Sequence, residues 1–149
     1  MLGAYVITQN DCEGRTNNPV SVGLASYMID SHNCRRVVVG GLTMNEGDIQ
    51  QRLPGPFRIP YQALTPNISE CDNLLVPVCL SASHVAFSSI RMEPVLMILG
   101  HSAGVAAVLA VDESVEVQKI DPRELERTLQ RTGQILSTEP RNLPTVGYN

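Results

Sequence analysis

Residues 95–110 read VLMILGHSAGVAAVLA, and the local structure of this stretch decides what kind of protein the chain is. Five apolar residues, then G-H-S-A-G, then a run of small residues spell a nucleophile elbow, a sharp strand-to-helix turn that presents Ser102. The competing reading is one continuous helix from about Arg91 to Val111, in which Ser102 bonds back to a carbonyl or faces a packed neighbour. An elbow needs its acid and its histidine after the serine in chain order. The histidines are His32, His84 and His101, and none follows Ser102. Too little chain remains beyond the serine for strands carrying an acid and a base, and no HGGG-type oxyanion segment occurs. The helix is favoured. Pro94 falls in its first turn, where a missing N–H costs nothing, and Gly100 and Gly104, with Ala103 and Ala107 beside them, admit a close neighbour.

The 149 residues suffice for one domain with its own core and are short for two. A net charge of -4 without any Lys/Arg run argues against nucleic acid or an anionic membrane as partner. Two Phe, four Tyr and no Trp leave no stacking platform for bases. Cys12, Cys34, Cys71 and Cys79 are scattered, with no C-x-x-C and no cysteine–histidine ligand spacing. Neither a metal site nor a disulfide framework is expected, and free thiols suit a reducing compartment. MLGAYVITQND is not a secretory signal as it stands, so the default location is cytoplasmic. The uncharged run Pro94–Val111 touches the lower length limit for a membrane span. Its proline, histidine and serine, the acids at both ends and the lack of an aromatic anchor favour a buried helix.

Along the chain, residues 1–10 read as the end of a helix closed by Asn10-Asp11, followed by a Gly/Asn/Pro loop. Val22–Ile29 and Arg35–Val39 are strand-like, and Gly40-Gly41 between VVV and LTM is a two-residue hairpin signal. Five prolines between Pro54 and Pro77 exclude an α-helix there. Residues 73–80 (NLLVPVCL) read as a buried strand and Ser81–Ser89 as a small polar loop. A second helix is signalled by Asp121 as cap, Pro122, Glu124 and the stop at Gly133. Strand, small polar loop, helix is the outline of a ligand cradle, because free amides at a helix start favour an anion or developing negative charge. A merely capped helix with a solvated serine loop fits the same residues, and composition alone does not choose between them.

The segment CDNLLVPVCLSASHVAFSSIRMEPVLMILGHSAGVAA (71–107) resembles the C-terminal flavin-binding segment of the FAD-dependent oxidoreductases with the glutathione-reductase-type fold. Its SASHVA and SIRMEP blocks are long and specific. DCEGR (11–15), MIDSHNCRR (28–36) and NEGD (45–48) are similar to the substrate-side region of those proteins. IPYQALTP (59–66) is similar to the strand leading back to the flavin domain, and the resemblance extends over about residues 1–136. It implies a mixed α/β fold: a β-rich substrate-side segment (1–60), the C-terminal part of an FAD domain (61–136) and a loose tail (137–149). Flavin contact is implied for Ser81, Ala82, Ser83, His84, Ser88, Ser89, Ile90, Arg91, Met92 and Glu93. The amides of Arg91, Met92 and Glu93 would face the edge of the ring where negative charge develops. His32 and His84 are the candidate catalytic residues, moving the proton that accompanies hydride transfer. Cys34 stands beside two arginines, Arg35 and Arg36, a setting that favours a thiolate, though no other feature of the sequence supports a redox role.

One departure matters as much as the match. The family's G-x-G-x-x-G turn, which holds the FAD pyrophosphate, is absent from these residues. Met1 aligns inside the family sequence, so the chain is expected to be a C-terminal piece whose partners are the N-terminal part of the FAD domain and a small-molecule substrate. By analogy with some relatives, that substrate is carbohydrate-related. Alone, the chain is expected to bind FAD weakly or not at all and to be inactive. The leading function is hydride transfer between a substrate and flavin in the intact protein. A cofactor-free remnant or interaction domain is the alternative, and a serine esterase stands third.

Overall fold

In the computed structural model, which describes residues 1–16, 18 and 20–138, the first half of the chain is a set of short antiparallel pairs. Strand β1 (Gly23–Ala25) pairs with β6 (Phe57–Ile59), β2 (Ile29–Ser31) with β5 (Ile49–Gln51), and β3 (Arg35–Val39) with β4 (Leu42–Glu46). The β3–β4 hairpin turns where expected. Gly40 and Gly41 both have positive φ, 58° and 81°, the pair a two-residue primed turn requires. Val22–Ile29 is split rather than continuous, because Ser26 and Tyr27 are exposed and the two halves pair with different strands.

The remaining elements are helical: α1 (Gln9–Cys12), α2 (His84–Ile90), α3 (Glu93–Glu113) and α4 (Pro122–Arg131). The whole is mixed α and β, with short antiparallel strands and helices. The expected helix at residues 1–10 is corrected. Gly3 and Ile7 form isolated bridges to Pro66 and Ala82, and a helix starts only at Gln9. NLLVPVCL is not a strand. The amides of Val76 and Ser81 donate to Leu64 O and Ala63 O at 2.8 Å each, and Pro77 interrupts any ladder between them. IPYQALTP is strand only at Ile59, the last residue of β6; a 3-10 turn follows at Tyr61–Ala63, and the Tyr61 hydroxyl donates to Val117 O at 2.7 Å. The polar segment expected as a loop becomes α2 from His84 onward, capped by the Ser83 hydroxyl, which accepts from the Ala86 amide at 3.2 Å.

The 95–110 stretch lies wholly within α3, which packs against β1 and α4. Only one face is covered, contrary to the buried helix expected. Val95, Leu99, Ser102, Ala103, Ala106 and Ala110 are buried, while Met97, Val108 and Val111 are 74%, 58% and 76% exposed. The buried row joins Ile7, Ile29, Ile59, Leu64, Ile90, Leu125, Leu129 and Leu136 in one core. By length and composition α3 is apolar enough to cross a membrane, with a mean hydropathy of 2.0. Helix α4 begins as expected, Asp121 accepting from the Arg123 amide at 2.9 Å, with Gly133 at φ 91° just beyond its end. Most of the 137–149 tail lies outside the described residues.

Candidate functional site

The covered face of α3 first settles the serine. Ser102 is fully buried. Its Oγ lies 2.5 Å from Val22 O and 3.1 Å from Ile98 O, and it accepts from Gln134 Nε2 at 2.8 Å. His101 is exposed and its Nδ1 meets Gln134 Oε1 at 2.6 Å, so it does not serve the serine as a base. Ser102 ties α3 to the first β-strand pair and to the segment after α4. It is a packing group.

Chemistry gathers instead where α2 lies on β2. The Asp30 amide donates to Ser88 Oγ at 3.1 Å, and Ser88 Oγ donates to Val85 O at 2.7 Å. Arg91, just past α2, donates through Nη2 to Asp30 O at 3.2 Å and lies 3.7 Å from the Asp30 carboxylate. These contacts join residues some 60 positions apart and frame a cavity of about 220 Å³ lined by Asp30, Ser31, His32, His84, Phe87, Ser88 and Arg91. His32 and His84 are thus brought to one cavity. The volume is below the roughly 300 Å³ at which pockets begin to engulf a drug-sized molecule, so it suits the reacting end of a small one. A larger cavity of about 470 Å³, bounded by Asp72, the last turns of α3 and Val115–Val117, has no histidine, cysteine or cation in its lining. We place the site at the smaller one.

Of the residues expected at the flavin, several are spent on the framework. Ser81 Oγ accepts from the Gly3 amide at 2.9 Å, Ser83 caps α2, Ser88 braces β2, and the buried Ser89 hydroxyl donates to Tyr27 O. Ala82 bridges to Ile7, and Ile90 closes α2 in the core. The helix start is also shorter than expected. The Arg91 amide donates to Phe87 O at 3.0 Å, and α3 begins only at Glu93, with Met92 as its cap. Among the described residues, the Met92 and Glu93 amides are the two in this turn without an acceptor, since Pro94 has no N–H and Val95 donates to Met92 O. Ser31 and Phe87 enter the lining without any signal in the sequence; pairing between β2 and α2 puts them there. Arg91 pairs with Asp30, 61 positions earlier in the chain.

Beside α2 lies α1, whose Asp11 is 4% exposed and accepts hydrogen bonds from the hydroxyls of Tyr5, Thr8 and Thr16, the Thr8 amide and the Asn18 side chain. Burial opposes the charge, but the hydrogen bonds from Thr16, Tyr5 and Thr8 outweigh it and hold this carboxyl below its ordinary value. The neighbouring Cys12 thiol is pushed up to about 12, mainly by burial and then by Asp11.

The fold is thus a mixed α/β chain that brings two histidines and a paired Asp–Arg to one small cavity, with two open amides in the turn after α2. Residues 1–129 match the family model described as FAD dependent oxidoreductase, and the chain belongs to that family. No curated protein and no solved structure matches it. The family carries FAD and is a family of oxidoreductases. Tested against that cofactor, the donor set here fits one end of it. The Met92 and Glu93 amides at a 21-residue helix suit the electron-rich edge of a flavin ring, whereas the Gly-rich turn that would cradle its phosphates is not in the sequence.

Proposed function

We propose that this chain forms the ring-side half of an FAD site, together with the substrate pocket, in an oxidoreductase whose flavin domain has the glutathione-reductase-type architecture. The observation that carries this is the convergence of His32 and His84 on one cavity in a chain of the FAD-dependent oxidoreductase family. Bound FAD supplies the two-electron acceptor for hydride. The chain's own residues do the rest. The Met92 and Glu93 amides hold the ring edge on which charge develops, at no reorganisation cost. The His84 and His32 side chains bind the substrate's polar group and take or return its proton. Arg91, held by Asp30, locks α2 to β2 and so fixes the distance between the two histidines. Ser81, Ala82, Ser83, Ser88, Ser89 and Ile90 shape the wall behind them. The substrate is a small molecule, carbohydrate-related by analogy with relatives. The phosphate end of FAD is held by polypeptide outside these residues, since no G-x-G-x-x-G is among them.

The test has two arms. Titrated with FAD, the chain by itself should show weak binding or none, and stoichiometric flavin on the purified chain overturns the divided site. In a protein that also carries the phosphate-binding part, His32→Ala or His84→Ala should slow flavin reduction by substrate while leaving flavin content near normal. Equal loss of both assigns the histidines to structure. A cofactor-free interaction domain is the second reading, favoured by the bare apolar face of α3. No bound flavin and no flavin reduction in the unaltered protein carrying both parts would leave that reading standing.

A further inference from the structure

The thiol of Cys34 meets one of the residues that line this cavity, with its Sγ 3.9 Å from His84 Nε2. The pair joins residues 50 apart in the sequence, one just before β3 and one from the first turn of α2. Its placement is built rather than incidental. The Cys34 amide donates to Glu46 O at 2.8 Å, closing the base of the β3–β4 hairpin. Gly47 then turns away at φ 84°, and a Cβ there would come within 2.9 Å of the sulfur, so the thiol occupies the space a side chain at position 47 would fill. Both Cys34 and His84 are exposed, so a reagent reaches them from solvent. His84 itself lines the cavity with His32, Phe87 and Arg91.

The chain carries its own controls. Cys12 is fully buried, and its thiol is pushed up to about 12. Cys79 is exposed like Cys34, and Cys71 is partly exposed beside the Asn73 carbonyl, its Sγ 3.4 Å from Asn73 Oδ1. Only Cys34, among the described cysteines, has an imidazole within reach.

We propose that Cys34 and His84 form a nucleophile–base pair that makes Cys34 a site of mixed-disulfide formation with low-molecular-weight disulfides, and that the adduct blocks the mouth of the cavity. His84 Nε2 takes the thiol proton as Sγ attacks one sulfur of the disulfide. The Cys34–sulfur bond forms, the original sulfur–sulfur bond breaks, and the departing thiolate collects the proton. The disulfide is the only oxidant: one of its sulfurs leaves reduced as Cys34 is oxidised. The thiol chemistry stands on the pair alone, and only its consequence rests on the cavity being the substrate site.

The experiment treats the native chain at pH 7 with an aromatic disulfide that releases a coloured thiolate, and maps the labelled cysteines by mass spectrometry over time. Cys34 should react about tenfold faster than Cys79 while Cys12 stays unlabelled, which also reports that the fold is intact. His84→Gln should bring Cys34 down to the rate of Cys79. Equal rates at Cys34 and Cys79 in the unaltered protein overturn the proposal without any variant being needed, as does a rate at Cys34 unchanged by His84→Gln. Flavin content plays no part in the readout, so a failure here is separate from a failure of the divided FAD site.

Discussion

At the scale of single residues, the same letter can carry chemistry or packing, and burial with hydrogen-bond partners separates the two. Ser102 sits in a sequence that spells an esterase motif, yet its hydroxyl is enclosed between Val22, Ile98 and Gln134. Ser102→Ala should cost about 1 kcal/mol in thermal or denaturant unfolding and change no ester turnover, because none is expected. Chain order already argued against the elbow; the partners of the hydroxyl were beyond reach, since Gln134 and Val22 approach only through α4 and β1. In the sequence, Asp11 reads only as part of a helix end and of the DCEGR block. Its folded-state pKa lies below the ordinary 3.8, so its stabilising contribution is complete above that value and lost as pH falls through the lower, folded-state value. Asp11→Ala should therefore cost about 3 kcal/mol at pH 7, where several hydrogen bonds to a charged group are lost. In urea melts from pH 7 down to pH 2, the gap between variant and parent should narrow only below about pH 4.

Elements were legible where their signals are local. The cap and stop of α4 were spelled out by Asp121, Pro122 and Gly133, and the hairpin by Gly40-Gly41, because caps and primed turns are decided by a few adjacent residues. Asp121→Ala should lower stability by about 1 kcal/mol, measured as a shift in the thermal midpoint, with the exposed end of α4 exchanging its amides faster. Elements that depend on distant pairing were misread. NLLVPVCL has a strand's composition, but a strand needs a ladder, and only isolated bonds tie it down, from the Val76 amide to Leu64 O and from the adjoining Ser81 amide to Ala63 O. The break between α2 and α3 shows the same limit from the other side. Arg91 ends one helix on Phe87 O and Met92 caps the next, a distinction that hydrophobic periodicity does not register.

Over the whole molecule, the core is one-sided. Leu99 is fully buried and Val111 is 76% exposed, although both belong to the same uncharged run. Leu99→Ala should cost about 3 kcal/mol in denaturant unfolding, whereas Val111→Lys should stay within about 0.5 kcal/mol. A result in which both cost alike would mean that the outer face of α3 is covered in solution. From the sequence alone came the family resemblance, the mixed α/β class, the hairpin, the long helix over residues 95–110 and the two histidines worth watching. All of these are written in neighbouring residues or in one long contiguous block. The tertiary structure alone decided that His32 and His84 share a cavity, that Arg91 answers Asp30, that Cys34 meets His84, and that the serines beside them are framework. Those facts come from contacts across 50 or more positions, set by how β2, the hairpin and α2 pack. No local pattern encodes them, because packing selects side-chain partners by position in space and not by distance along the chain.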